Sequence, residues 1–181
     1  MQIAFTNEEL GRVVILAWRT ARKFKGFKGH YTNSLGNHFV GHVGSLGAEK
    51  WALANGLAPV GIFRDIERAA ECDLHVTLRG QLKRVEVKTW SQDYWDEWGR
   101  CVAVGQVDDL KQKTDLIVWA VVFPDDDGRP VAMVNGWSTL ADVVAAPKKW
   151  TGPAGRQVHN HQVDAEKIRD LASLLAWDGR V

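Results

Sequence analysis

Polar and apolar positions alternate most clearly between Asp73 and Thr89. Asp73, His75 and Thr77 interleave with Leu74, Val76 and Leu78, and beyond Arg79-Gly80 the residues Val85 and Val87 interleave with Glu86 and Lys88. A period of two marks a half-buried strand, and a short break containing glycine between two such runs marks a hairpin. The pattern predicts strands over 73–78 and 82–89 joined at Arg79-Gly80. Leu116 to Phe123 is apolar throughout, as a strand buried on both faces requires. Asp127-Gly128 predicts a turn into a further strand over about 131–135. Another strand is expected near Val60 to Phe63.

The helical pattern brackets these strands. Thr6-Asn7-Glu8-Glu9 reads as a capping box, with Thr6 as N-cap and Glu9 reaching back to it. A helix should follow to about Lys23, with Val13, Val14 and Ala17 as its apolar stripe, joined by Leu10, Leu16 and Trp18. Gly26, Gly29, Gly36 and Gly41 read as a loop through Val40. A second helix is expected from about Val43 to Asn55, stopped by Gly56. Further helices are expected over 138–144 and 164–176. This order predicts an α/β (α+β) class, a mixed sheet flanked by helices. No repeat or linker interrupts it, and 181 residues suit one domain over 1–181.

Composition excludes little. The chain is 45% hydrophobic and 25% charged, as in a soluble globular protein. Its longest apolar run is too short for a bilayer, and residues 1–10 lack the basic start and apolar stretch of a secretory signal. A cytoplasmic, non-membrane protein is expected, with Cys72 and Cys101 as buried reduced thiols. Net charge is only +1, but it is unevenly spread. Leu10 to Ala48 holds no acid and carries Arg12, Arg19, Arg22, Lys23, Lys25 and Lys28. Val143 to Val163 is also free of acid, with Lys148, Lys149 and Arg156. Such segments can form a phosphate-binding face or a merely solvated one, and charge alone does not choose.

Glu86 and Lys88, two apart on a strand, share a face. The hairpin loop decides whether Asp73 joins them. A two-residue loop pairs Leu78 with Gln81 and sets Asp73 opposite Glu86, and a four-residue loop sets it opposite Lys88. A three-residue loop sets it opposite Val87 unless a bulge intervenes. Adjacent carboxylates repel unless a cation or proton lies between them. An oxygen-rich site with open positions suits Mg²⁺ or Mn²⁺. A lysine beside it can orient an attacking water and offset charge at phosphorus. The same spacing also describes a solvent-facing Glu–Lys pair.

Asp73 followed by Glu86-Val87-Lys88 on the next strand resembles the core signature of the PD-(D/E)XK nuclease superfamily. In that family the helix before the hairpin often carries another acid in a GxxGE-like context. Here Gly44-Ser45-Leu46-Gly47-Ala48-Glu49 is similar, with one residue inserted before the acid. Cys72 stands where the signature has proline. The resemblance spans about 41–123. It implies a restriction-endonuclease-like mixed sheet of four to five strands flanked by helices. It also implies Asp73 and Glu86 as ligands of Mg²⁺ (or Mn²⁺), Glu49 as an accessory acid at the metal, and Lys88 as the catalytic lysine. Some branches place a glutamine after the lysine strand at the site or on DNA, a position taken here by Gln106. The implied activity is endonucleolytic cleavage of DNA, restriction-like or junction-resolving. Arg19, Arg22, Lys23, Lys25 and Lys28 are expected on the phosphates, and a homodimer is expected because cutting a duplex usually takes two sites. A catalytically inactive nucleic-acid-binding or assembly protein on the same fold, and an RNA-cleaving relative, are the alternatives.

Nine tryptophans remain to be placed. Trp18, Trp51, Trp119 and Trp177 fall in helical or strand patterns and are expected in the core. Trp90, Trp95 and Trp98 cluster with Tyr94 after the lysine strand, as a packed flap, a dimer contact or a platform for an unpaired base. Asp93, Asp96 and Glu97 among them would repel phosphate. The histidines His30, His38, His42, His159 and His161 lack the spacing of a zinc site and are expected at the surface or on phosphate. His159-Asn160-His161 spells HNH, but the nuclease motif of that name spreads its residues over a ββα unit. Asp125-Asp126-Asp127 reads as a solvated hairpin tip.

Overall fold

The computed structural model describes residues 1–25, 34–61 and 72–177. Strand β1 (Gln2–Ile3) leads into helix α1 (Asn7–Lys23) through the expected capping box. The Thr6 N–H donates to Glu9 Oε2 at 2.7 Å, and the Glu9 N–H to Thr6 Oγ1 at 3.2 Å. The buried face of α1 is Val13, Leu16, Ala17 and Thr20. Val14 and Trp18 are about half exposed, at 49% and 51%, and so is Ile15. The expected stripe was therefore drawn too wide. Only residues within about a third of a turn of Val13 and Ala17 meet the neighbouring helix, and Trp18 lies outward beneath the Arg22 guanidinium, 4.6 Å from its ring.

Helix α2 (Leu35–Ala54) begins eight residues before the expected Val43. Ser34 Oγ caps it by accepting from the Asn37 N–H at 3.1 Å. Gly36 and Gly41, expected in a loop, lie inside the helix. Each costs about 1 kcal/mol there relative to alanine, but Val43 to Glu49, together with Trp51 and Ala52, bury against the sheet and α1 and outweigh that cost. The helix stops where expected. Gly56, at φ +74°, allows the Gly56 N–H to reach Leu53 O at 3.1 Å and the Leu57 N–H to reach Ala52 O at 3.0 Å, a Schellman ending.

The central sheet has six strands, one or two more than expected. They are β1, β2 (Val60–Gly61), β3 (Leu74–Leu78), β4 (Gln81–Ser91), β6 (Leu116–Pro124) and β7 (Pro130–Thr139), in the order β1-β7-β6-β4-β3-β2. Only β4 and β6 run parallel, so the sheet is mixed and the class is α+β. Of the expected strand over 60–63, Ile62 and Phe63 lie outside the described residues. β6 is central and buried on both faces, which accounts for its unbroken apolar run.

One sheet face packs on α2 through Leu74, Val76, Leu78, Val85 and Val87. Gly44 and Gly47 give the closest approach. A Cβ on Gly44 would overlap the Thr89 side chain, and one on Gly47 would lie 2.7 Å from Ala132 Cβ. The opposite face carries Ile117 and Trp119. It is covered by α4 (Val107–Lys113), α5 (Leu140–Ala145) and a small sheet in which β9 (Val158–Gln162) lies between β5 (Cys101–Ala103) and β8 (Lys148–Thr151). This second sheet was not foreseen. Its strands are three to five residues long, and β8 is polar and largely exposed.

The helix expected over 164–176 is divided. A 3₁₀ turn (Ala165–Lys167) precedes an extended Arg169, and α6 (Leu171–Ala176) follows, capped by Asp170. Arg169 pairs with Trp137 on β7, each N–H reaching the other's carbonyl at 2.9–3.0 Å. The open backbone of β7 beyond the short β1 thus competes successfully against helix in this segment. Trp51 and Trp119 are buried as expected, Trp177 packs on the core edge, and Trp90 and Trp95 pack with Trp119. Both cysteines are buried and free. Among the described residues no helix is long and apolar enough to cross a membrane.

Candidate active site

The β3–β4 turn takes the tightest of the three possible registers. Arg79 (φ 49°) and Gly80 (φ 77°) both occupy the left-handed region, as a two-residue hairpin turn of the I′ kind requires. Leu78 pairs with Gln81 and Leu74 with Val85, so Asp73 stands opposite Glu86 at the mouth of the hairpin. Asp73, Glu86 and Lys88 therefore share a face, the one opposite α2. On neighbouring β6, Glu86 adjoins Ile117 and Lys88 adjoins Trp119.

Short contacts fix this group. The Val87 N–H donates to Asp73 Oδ2 at 2.7 Å. Lys88 Nζ donates to Glu86 Oε1 at 2.8 Å and lies 3.5 Å from Gln106 Oε1, a long contact. Lys88 and Glu86 are only 13% and 15% exposed at the side chain, so the pair is weakly screened by water. Gln106 closes the 3₁₀ turn (Val104–Gln106) between β5 and α4, which carries it onto the lysine.

Burial and the Glu86 charge push the Asp73 carboxyl up to about 7, against the opposing pull of the Val87 N–H and the Lys88 and Lys113 charges. Glu86 moves the other way. Burial raises it, but the Lys88 ammonium, by charge and hydrogen bond, and the Lys113 charge hold it below its usual value. Lys88 thus decides which carboxyl keeps a proton when no other cation is near. Lys113, in the last turn of α4, acts on both acids, and sequence reading missed it. Its only sequence signal was a basic residue at the end of a helix that was itself left undefined.

Cys72 precedes the group. Burial, together with the Asp73 and Glu86 charges, pushes its thiol up to about 11. Its Sγ lies 3.5 Å from Leu74 O and 3.7 Å from His75 Nε2. An inert, protonated thiol is what this environment favours.

Glu49 comes from the α2 side. It is 6% exposed and its carboxylate lies over Gly61 of β2, where a Cβ would overlap it. Gly61 pairs with Leu74, the residue after Asp73, so Glu49 reaches the same sheet edge from the opposite face. Among the described residues, no group of three His, Cys, Asp or Glu side chains is arranged to hold a metal ion. The Asp73–Glu86 pair itself has the chemistry of a hard-cation site, since two facing carboxylates leave positions open for water and phosphate oxygen.

The basic residues divide between the two sides. Arg19, Arg22, Lys23 and Lys25 are exposed on or just beyond α1, which packs on α2 and so stands behind the sheet as seen from Lys88. The structure does not bring them to the trio. Lys28 and His30 lie outside the described residues. Lys148, Lys149 and Arg156 are exposed on the β8–β9 hairpin, in the same small sheet as β5. His42 bonds to Thr20 at 3.0 Å, and burial together with the His38 charge pulls its value down to about 4. His161 is buried on Ala146 O at 3.2 Å and is not a surface histidine, whereas His42 is half-buried. Asp125 to Asp127 form an exposed tip in which Asp125 Oδ1 accepts from the Asp127 and Arg129 N–H groups.

No protein-family model matches the chain, and neither a curated protein nor a solved structure matches it.

Proposed function

We propose that the protein is a metal-dependent endonuclease that hydrolyses DNA phosphodiester bonds, with Asp73 and Glu86 as metal-holding acids and Lys88 as the catalytic lysine. The observation that carries this reading is the hairpin register, which sets Asp73 opposite Glu86 with Lys88 Nζ 2.8 Å from Glu86 Oε1 on one weakly hydrated face. A structural ion pair needs no second carboxylate, and burying one beside Glu86 is costly unless it holds a proton or a cation.

Asp73 and Glu86 would hold a divalent cation, Mg²⁺ or Mn²⁺, which would supply Lewis acidity toward a phosphodiester oxygen. The chain's own groups supply the rest. Lys88, anchored by Glu86 and faced by Gln106, presents its ammonium charge to the attacking water and to the non-bridging phosphate oxygens, whose charge grows in the transition state. The Val87 N–H holds Asp73 in place. Lys113 adds positive potential along the path of the phosphate. Of the two basic segments, the β8–β9 hairpin with Lys148, Lys149 and Arg156 stands on the Lys88 side and is the better placed to track the backbone. Arg19, Arg22, Lys23 and Lys25 would meet only DNA that passes round the sheet edge. Cutting both strands at one locus takes two such sites, hence a homodimer on DNA.

One observation favours a second reading, a nucleic-acid-binding protein without activity. Among the described residues the acids gather as a pair rather than a trio, and Lys88 already neutralises Glu86. Calorimetric titration with Mn²⁺ separates the two. The nuclease reading expects one site per chain, abolished by Glu86→Ala. No binding by the wild type at millimolar Mn²⁺ would favour the inactive protein.

A further inference from the structure

Helix α1 carries two apolar stripes. Val13, Leu16, Ala17 and Thr20 are buried inside the fold. Val14, Ile15 and Trp18 are about half exposed, and Gly11 is exposed beside them. At about 100° of rotation per residue, these four gather on the side of the helix opposite the buried four. A helix apolar on two opposite sides is suited to lie between two surfaces, and the described fold supplies one of them.

Gly11 describes what the second surface presents. A Cβ there would meet nothing within 4 Å, so no contact among the described residues asks for glycine. Glycine in a helix nevertheless destabilises it relative to most other residues. It leaves a notch in the stripe, and the Trp18 indole stands out two turns further on. A docking surface therefore needs a bulky group at the notch and a small one under the indole. A second α1 laid antiparallel has that profile, with Trp18 set on Gly11 in both directions and Val14 and Ile15 meeting at the twofold axis. The charges fit the same register. Glu8, in the first turn, lies on one flank of the stripe, and Arg19 and Arg22 lie on that flank toward the other end. Opposite Glu8 the second copy would place its own Arg19 and Arg22, and the helix dipoles would run head to tail. Within one chain Glu8 takes Arg12, an exposed pair that is cheaply exchanged. A lipid surface suits this rim less well, because Glu8 interrupts its basic border and a fluid surface has no use for a notch.

We propose that two copies of the chain pair through this face of α1, helix against helix and antiparallel, about a twofold axis beside Val14 and Ile15. One helix pair makes a small contact, so the dimer is weak, with a Kd on the order of micromolar. Because α1 packs on α2, behind the sheet as seen from Lys88, the pairing leaves both candidate active sites uncovered. It forms in the free protein and is distinct from the pairing on DNA that two-strand cutting would take. It rests on α1 alone and stands whether or not the protein cuts DNA.

Sedimentation velocity across about 1–200 µM protein, without DNA or metal, tests the pairing. The wild type should pass from monomer to dimer within that range. Trp18→Ala should weaken association roughly tenfold. Gly11→Gln should raise the melting temperature of the dilute protein by roughly 2–4 °C, since it improves the helix, and still weaken association roughly tenfold. That opposition separates docking from folding. Glu8→Arg should be monomeric by itself, and so should the double variant Arg19→Glu, Arg22→Glu, each checked for folding by circular dichroism. Mixed in equal amounts the two should pair with each other, because each then offers the charge the other lacks. A wild type that stays monomeric throughout, an association unmoved by Trp18→Ala and Gly11→Gln, or charge variants that remain monomeric when mixed would each overturn the proposal. A monomer that instead sediments with anionic phospholipid vesicles would assign the face to a membrane.

Discussion

The Val87 N–H donates to Asp73 Oδ2 at 2.7 Å, so the acid at the mouth of the hairpin is tied to the strand that carries Glu86 and Lys88. Burial, with the Glu86 charge adding to it, raises Asp73 to about 7. A folded value above the ordinary one means the folded state retains a proton that the unfolded chain has released. Its contribution therefore favours folding at low pH and is lost as pH rises from about 4 through about 7. Asp73→Asn keeps an oxygen for Val87 and removes this penalty. Without divalent cation it should melt higher than the wild type at pH 8, with the gap narrowing toward pH 4. Excess Mg²⁺ should narrow the gap at pH 8, because only the wild type gains from binding, by about 2.7 kcal/mol at a hundredfold excess over Kd. Thermal melts at the two pH values, with and without Mg²⁺, check both signs.

Gly44 and Gly61 hold α2 and Glu49 in place. Gly44→Ala forces a Cβ into Thr89 and should cost about 1–3 kcal/mol in urea denaturation. Gly61→Ala displaces the Glu49 carboxylate instead. If Glu49 assists the metal-holding acids, Gly61→Ala should slow cleavage severalfold while leaving Asp73, Glu86 and Lys88 untouched. A rate equal to wild type would assign Glu49 a purely structural role.

Lys113 acts on Asp73 and Glu86 together. Lys113→Ala removes a positive charge from beside the proposed cation site. Mn²⁺ should then bind more tightly, while DNA cutting slows because phosphate loses an attractive charge. Calorimetry and a cleavage assay on the same preparation read the opposed effects.

His42 is half-buried against Thr20, and loss of water together with the His38 charge pulls it down to about 4. Its folded value lies below its ordinary 6.5, so the unfolded state takes up the proton first. This contribution to stability is present above pH 6.5 and is lost as pH falls toward 4. His42→Gln should flatten the difference in melting temperature between pH 7 and pH 4.5.

The parts of this molecule legible in the sequence were those written in local pattern. The Thr6–Glu9 capping box, the Gly56 stop, the all-apolar β6 and the β3–β4 alternation each follow from a few adjacent residues, and each formed as expected. The alternation left three hairpin registers open, and the paired positive φ of Arg79 and Gly80 selected one. What escaped depended on distant partners. Gly36 and Gly41 read as breakers because burial of α2 on both sides is invisible locally. Arg169 left its helix for an open edge at Trp137. The short strands β5, β8 and β9 carry too few residues to show a period, so the small sheet was missed. In the candidate site, Asp73, Glu86, Lys88 and Gln106 were nameable from spacing and resemblance, whereas Lys113 needed the fold.

The most direct test of the central claim is cleavage of supercoiled plasmid in Mg²⁺ or Mn²⁺ by the wild type beside Lys88→Ala and Glu86→Ala. Cutting by the wild type with at least a hundredfold loss in both variants, and none in EDTA, is the predicted result. Equal cutting by all three proteins, or metal-dependent cutting that survives loss of Glu86, would contradict it.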